Sequence, residues 1–178
     1  FLLHKHHNAI VSLMHANNQI GTLLDIETVG NLSLRHNAYF HSDTVQTVGH
    51  YRHDLKKLKV HGITAAAHKF HGPKGIGFMF IRKDKKIQSF MHGGPQERNM
   101  RGGTENVYGI VGLAKALEIA YRDLDDHKKY VTGLKSRMID KLKESIPGIS
   151  FHGESANLEK SLYTVLNVCL PESEQNNL

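Results

Sequence analysis

Three stretches of this chain put groups capable of covalent chemistry where strand-like runs end. Asn17 and Asn18 sit in the polar turn His15-Ala16-Asn17-Asn18-Gln19-Ile20-Gly21, Asp43-Thr44-Val45-Gln46 follows a second run, and Ala67-His68-Lys69 follows a third. Together they offer a carboxylate, amides, an imidazole and an amine. Pyridoxal phosphate needs such a set. An amine forms its Schiff base, a carboxylate keeps its pyridine nitrogen protonated, and further donors hold the ring hydroxyl and the phosphate. Lys69 and Asp43 fit the first two roles. Taken singly, Lys69 also reads as a surface lysine and Asp43 as a helix cap, so the weight rests on the set.

The elements that must position these groups alternate. Ile10-Val11-Ser12-Leu13-Met14 reads as a strand, and Asp25 as the N-cap of a helix carrying Ile26, Val29 and Leu32 at helical spacing. Tyr39-Phe40-His41-Ser42 and Gly62-Ile63-Thr64-Ala65-Ala66 are the next strands, separated by enough chain for a crossover. This alternation predicts a mostly parallel α/β sheet, whose ligands bind beyond the carboxyl ends of the strands. Ile76-Gly77-Phe78-Met79-Phe80-Ile81 is expected to form a hairpin with Ile87-Gln88-Ser89-Phe90 across the turn at Lys83-Asp84-Lys85-Lys86. After a glycine-rich loop over 92–104, Val107, Ile110, Val111, Ala114, Leu117 and Tyr121 mark one helix face, and Val131, Leu134, Met138 and Leu142 a second, which Pro147-Gly148 ends. The charged Arg122-Asp123-Leu124-Asp125-Asp126 is the expected domain boundary, with strands resuming at Ile149-Ser150-Phe151 and from Tyr163 to Cys169.

Composition bounds the alternatives. At 178 residues, 39% hydrophobic and 22% charged, the chain is of globular type, and its apolar runs reach only strand length. The net charge of +6 permits nucleic-acid binding, but Lys and Arg are scattered and often beside Asp or Glu. Fourteen His raise a metal-binding reading, yet His4, His6 and His7 lack zinc-site spacing, so the excess is read as compositional bias. One cysteine, Cys169, fits a reducing cytoplasm. Phe1-Leu2-Leu3 precedes its basic residues, the reverse of a signal peptide, so no targeting sequence is read; the missing initial Met and the polar end Glu174-Gln175-Asn176-Asn177-Leu178 read as cuts in a longer chain.

Four motifs in register resemble the cysteine desulfurases, a class V aminotransferase family: His15 to Gly21, Asp43 to Gln46, Ala67-His68-Lys69-Phe70-His71-Gly72-Pro73-Lys74-Gly75-Ile76-Gly77, and Gly93-Gly94-Pro95-Gln96-Glu97-Arg98 through Arg101-Gly102-Gly103-Thr104-Glu105-Asn106. The resemblance thins after about residue 145. It implies the second half of the large domain of a fold type I pyridoxal-phosphate enzyme over 1–123 and the start of a small α+β domain over 124–178.

It also implies roles. Lys69 would hold the cofactor and then act as base toward the substrate's alpha proton, with His68 beside it contacting the phosphate. Asp43 would pair with the pyridine nitrogen, Gln46 would bond the ring hydroxyl, and Asn18 would sit between that hydroxyl and the substrate carboxylate. Ala66 and Ala67 belong to the cofactor-binding set, although the family has Ser where Ala66 stands. The lost hydrogen bond is worth about 1.5–3 kcal/mol, and Thr64 on the same strand face is a partial substitute. Thr104 would reach the phosphate of a second subunit's cofactor, implying a homodimer with shared sites.

The implied reaction takes sulfur from L-cysteine, leaves L-alanine, and passes the sulfur as an enzyme persulfide to an acceptor or an iron–sulfur scaffold. The family's nucleophilic Cys and carboxylate-binding Arg are not among these residues, and Cys169 is read as a buried, inert strand thiol. The chain by itself is therefore expected not to desulfurate cysteine. A selenocysteine lyase or small-molecule aminotransferase of class V would share Lys69 and Asp43, and a histidine-rich metal or nucleic-acid binding module is the rival from a different class.

Overall fold

A computed structural model of the protein describes residues 2–6, 8–85 and 87–172; Phe1, His7, Lys86 and the polar end read above lie outside the described residues. A one-turn helix α1 (Leu2–Lys5) leads into β1 (Ile10–Met14), α2 (Ile26–Arg35), β2 (Tyr39–Asp43), β3 (Gly62–Ala66) and β4 (Gly77–Ile81). These strands make one sheet in the order β1-β2-β3-β4, parallel across the first two pairings and antiparallel across the third. The mostly parallel α/β sheet with flanking helices is as the sequence predicts. Asp25 caps α2 as expected, its carboxylate accepting from the Thr28 N–H at 2.9 Å and the Thr28 hydroxyl at 2.7 Å, a cap worth about 1 kcal/mol.

Strand alternation sorts the sheet into two faces. One is the core: Phe40, Ile63 and Ala65 pack with Ile26, Val48, Val60 and Phe70. The other presents Tyr39, His41 and Asp43 of β2 beside Thr64 and Ala66 of β3, all half-buried. On that face His41 Nδ1 meets Ser12 Oγ at 2.9 Å, and His41 Nε2 meets Thr64 Oγ1 at 3.3 Å.

Four expectations are corrected. The antiparallel partner of β4 is β3, from Gly62↔Ile81 to Ala66↔Gly77, and residues 87–90 carry no strand. The ten-residue connection over 67–76 reverses the chain before β4, so the turn at Lys83 has no hairpin to close. Helix α3 (Val107–Arg122) meets the core through Leu113, Ala116, Leu117 and Ala120, whereas Val107 and Val111 remain exposed. This helix is apolar on two sides, and periodicity alone does not choose between them.

Helix α4 (Leu124–Ser145) starts earlier than its apolar signal and buries Leu124, Lys135 and Ile139, leaving Leu134 and Met138 about half exposed. Lys135 occupies an inward position because its ammonium donates to Ser161 Oγ at 2.7 Å and the Leu162 carbonyl at 2.8 Å. Burial lowers its pKa to about 8. Finally, the strand expected from Tyr163 to Cys169 shrinks to β6 (Val168–Cys169), paired with β5 (Ser150–Phe151). The preceding residues bond elsewhere, with Leu162 N–H donating to the Gly21 carbonyl at 2.8 Å.

No helix among the described residues is long and apolar enough to cross a membrane.

Candidate functional site

The register of the three parallel strands brings their carboxyl ends into line, with Met14 opposite Asp43 and Asp43 opposite Thr64. The chains leaving those ends are tied together. His15 N–H donates to the Asp43 carbonyl at 2.8 Å, and both the Thr44 N–H (3.0 Å) and the Thr44 hydroxyl (2.8 Å) donate to the Thr64 carbonyl. The turn bearing Asn18, the segment from Asp43 to Gln46 and the segment from Ala66 to Lys69 therefore leave the sheet side by side.

Each has its own lock. Asn17 Oδ1 accepts from the Gln19 and Ile20 N–H groups at 2.9 and 3.0 Å, closing the turn that displays the exposed Asn18. Asp43 Oδ1 accepts from the Val45 N–H at 2.9 Å. Ala67–Phe70 is a single 3-10 turn, ended by His71 in the left-handed region at φ 65°. Within it Ala67 and Phe70 point into the core at 0% and 1% exposure, which leaves His68 and Lys69 outward. Gly49 lets Phe70 sit there. It has φ +81°, and a Cβ on it would lie 2.6 Å from Phe70 Cβ.

The side chains of Asn18, Gln46, His68 and Lys69 and the second oxygen of Asp43 make no hydrogen bond among the described residues. An amine, an imidazole, two amides and a carboxylate oxygen at one sheet edge, with bonding capacity unspent, fit the donor set that pyridoxal phosphate requires. Two expected members stand apart. The Thr64 hydroxyl, read as a partial substitute for the serine missing at Ala66, is shared with His41 at 3.3 Å. Thr104 lines a cavity of about 840 Å³ with Thr64, Gly75, Gly77, Glu97 and Arg101, bordered by neither Asp43 nor Lys69. The loop leading to it holds Glu97, Arg98 and Asn99 at φ 46°, 56° and 64°, a left-handed run that costs non-glycine residues roughly 1–2 kcal/mol each.

A histidine network behind these loops was not legible in the sequence. His15 Nδ1 lies 2.9 Å from Thr47 Oγ1 and 3.1 Å from His53 Nε2, and the last two lie 3.2 Å apart. His50 reaches Tyr163 and the backbone of Lys69. Partners 32 and 38 positions from His15 give no local signal, so the histidines look like a composition effect until the register is known. Among the described residues no three His, Cys, Asp or Glu side chains gather as a metal set.

Burial, then the neighbouring His53, pushes the His15 pKa down to about 4, and burial also lowers His53 and His50. Such groups are uncharged in the folded state while the unfolded chain takes up protons below the usual histidine value. Stability is therefore complete above pH 6.5 and falls as pH drops toward 4, by about 1.4 kcal/mol per pH unit from His15 alone. Urea titrations between pH 7 and 4.5 should show this slope, and His15→Asn should make it shallower by the His15 share while His53 and His50 keep theirs.

The family model for class V aminotransferases matches residues 3–176. The chain belongs to the class V aminotransferase family. Among similar members, the cysteine desulfurase IscS of Dictyoglomus turgidum is 42% identical over 148 residues, 83% of this chain and 38% of that protein. IscS of Methanosarcina thermophila is 43% identical over 144 residues, 81% of this chain and 35% of that protein. Among solved structures, a NifS-like protein superposes with a TM-score of 0.84 at 40% identity, covering 94% of this chain and 46% of its own. The NifS-like protein of Rickettsia africae gives 0.89 at 28% identity, with 97% and 47% coverage. This class V chain thus spans less than half the length of the relatives it matches.

Proposed function

We propose that this chain supplies the cofactor lysine and its supporting residues to a pyridoxal-phosphate-dependent cysteine desulfurase. The observation that carries the reading is the convergence of Lys69, His68, Asp43, Gln46 and Asn18 at the carboxyl ends of β1, β2 and β3 in a class V aminotransferase chain. Relatives named cysteine desulfurase support the choice of substrate.

Pyridoxal phosphate, when bound, supplies a carbonyl that condenses with amines and a ring that draws electrons from the substrate's alpha carbon. Lys69 holds the cofactor through its amine and, once released, takes the alpha proton of L-cysteine and returns it. Asp43 holds a proton on the ring nitrogen by opposite charge. Gln46 orients the ring through its hydroxyl, Asn18 orients the substrate carboxylate, and His68 with the backbone at Ala66 and Ala67 holds the phosphate.

Sulfur then leaves for a thiol of the enzyme. The substrate C–S bond breaks, an S–S bond forms, and the substrate carbon gains the proton that yields L-alanine. Cys169 is not that thiol. It is half-buried in β6 rather than buried as expected, paired opposite Ser150, with its S–H directed at the Leu170 carbonyl at 3.8 Å. A strand position of this kind gives neither the mobility nor the electropositive setting of a reactive cysteine. The full-length enzyme given L-cysteine and a thiol reductant should release sulfide and alanine in equal amounts, and Cys169→Ser should stay within about twofold of that rate. Keto acid in place of sulfide would identify an aminotransferase instead.

The same reading makes the enzyme a cytoplasmic homodimer that hands persulfide sulfur to an acceptor or an iron–sulfur scaffold, with the large domain ending at Asp123, where α3 stops and α4 begins. Thr104, whose cavity is lined by neither Asp43 nor Lys69, serves the partner's cofactor phosphate. A heterodimer with Lys69→Ala on one chain and Thr104→Ala on the other then concentrates both lesions in one site. Cofactor affinity at the surviving Lys69 should equal the wild-type value; a weakened value would place Thr104 within its own subunit.

A further inference from the structure

His50 touches both the backbone of Lys69 and a residue far along the chain. Its Nε2 lies 2.9 Å from the Lys69 carbonyl and its Nδ1 2.8 Å from the Tyr163 hydroxyl, 113 positions away. A carbonyl only accepts, so Nε2 carries the proton. Nδ1 of the neutral ring then accepts, and Tyr163 must donate. Both bonds have a fixed direction.

The surroundings keep them so. Tyr163 is 2% exposed, and burial, with Tyr51 beside it, pushes its pKa up to about 12, so the phenol retains the proton it donates. Burial lowers the His50 pKa, outweighing the bond to the Lys69 carbonyl, which raises it, and the neighbouring His127 and His71 lower it further. The His127 ring stands 6.4 Å from His50 and 6.1 Å from Tyr163. Tyr163 is anchored in turn through its neighbours, since Leu162 donates to Gly21 and its carbonyl accepts from Lys135.

We propose that His50 is a positioning residue for Lys69, held in one tautomer by Tyr163, so that the segment over 161–163 fixes the backbone from which the cofactor amine projects. The proposal rests on the reading of Lys69 as the cofactor lysine. Lys69 sits in a 3-10 turn of only four residues whose apolar anchors, Ala67 and Phe70, flank it on the core side. The imidazole N–H gives the turn a third point of attachment, at the Lys69 carbonyl, and resists rotation of the peptide that follows the lysine.

The test uses the full-length enzyme as wild type, His50→Leu, His50→Gln and Tyr163→Phe. It records the pH midpoint of the visible absorbance of the Lys69-bound cofactor, together with kcat and KM for L-cysteine. His50→Leu should lower kcat about tenfold while KM stays within about twofold, and should move the midpoint by about half a pH unit or more. Gln, whose amide N–H can reach the same carbonyl, should recover kcat to within about threefold of wild type. Tyr163→Phe should move both readouts in the same direction as His50→Leu by a smaller amount.

A merely structural role would reduce the yield of folded enzyme without moving the midpoint. An unmoved midpoint in folded Tyr163→Phe, or a His50→Gln enzyme no better than His50→Leu, overturns the proposal. If His50→Leu does not fold, Tyr163→Phe and His50→Gln decide it. A wild-type enzyme without lysine-bound absorbance would instead overturn the assignment of Lys69, an outcome separate from a normal spectrum that the variants leave unchanged.

Discussion

Lys69→Ala in the full-length enzyme should abolish both the visible absorbance of the bound cofactor and all turnover. Lys69 is the amine displayed directly after β3, on a 3-10 turn whose flanking Ala67 and Phe70 are buried. Alanine keeps the turn, because the anchoring side chains and the Gly72-to-Ala67 backbone bond at 2.9 Å do not involve the lysine side chain. Loss of signal without loss of fold would thus isolate the amine. Lys74 is the control, since it lies five residues on in the exposed Pro73-Lys74-Gly75 stretch. Borohydride reduction followed by peptide mapping should mark Lys69; a label on Lys74 would mean that the cofactor lysine has been misassigned.

Asp43→Asn should leave the absorbance present and cut turnover sharply. The amide is nearly isosteric, and the Val45 N–H that bonds Asp43 Oδ1 can bond the amide oxygen equally well, so the loop leaving β2 should keep its path. What disappears is a full negative charge. Removing an opposite charge at contact distance shifts a partner's pKa by about 1–3 units, so turnover should fall by roughly ten- to a thousandfold. Steady-state kinetics beside the absorbance spectrum distinguish the outcomes. A rate within a few-fold of wild type would remove Asp43 from the ring-nitrogen role.

What the sequence disclosed and what it hid divide along physical lines. β1, β2, β3 and the capped α2 were readable because each rests on a local pattern: a short strand-length run between polar turns, or a carboxylate three residues before the N–H it caps. The loops that carry the candidate residues were readable as consecutive motifs, since parallel strands release the following loops at the same end of the sheet whatever the intervening helices contain. The partner of β4 was misread because turn chemistry at Lys83 resembles a hairpin, whereas pairing is decided by which strand the chain returns to. The docking faces of α3 and α4 were misread for opposite reasons. α3 has apolar residues to spare, and α4 buries Lys135, a residue that no hydrophobic pattern counts as inward. The links from His15 to His53 and from His50 to Tyr163 exist only once distant segments have met.

The stitching of residues 160–167 onto the turn after β1 bears on the order in which this molecule comes into being. Leu23 N–H donates to the Lys160 carbonyl at 2.9 Å, Leu162 N–H to the Gly21 carbonyl at 2.8 Å, and the Asn167 amide to the Gln19 carbonyl at 3.1 Å. Contacts across so much intervening chain are made late, because the loop they close must first be paid for in entropy. On the ribosome, β1, β2 and β3 can pair as soon as residue 66 has emerged, yet the turn displaying Asn18 lacks its backing until residue 167 has followed. At about 5–20 residues per second the gap lasts several seconds or more. Through that interval the nascent chain already displays Lys69 and Asp43 while one wall beside them remains unbuilt.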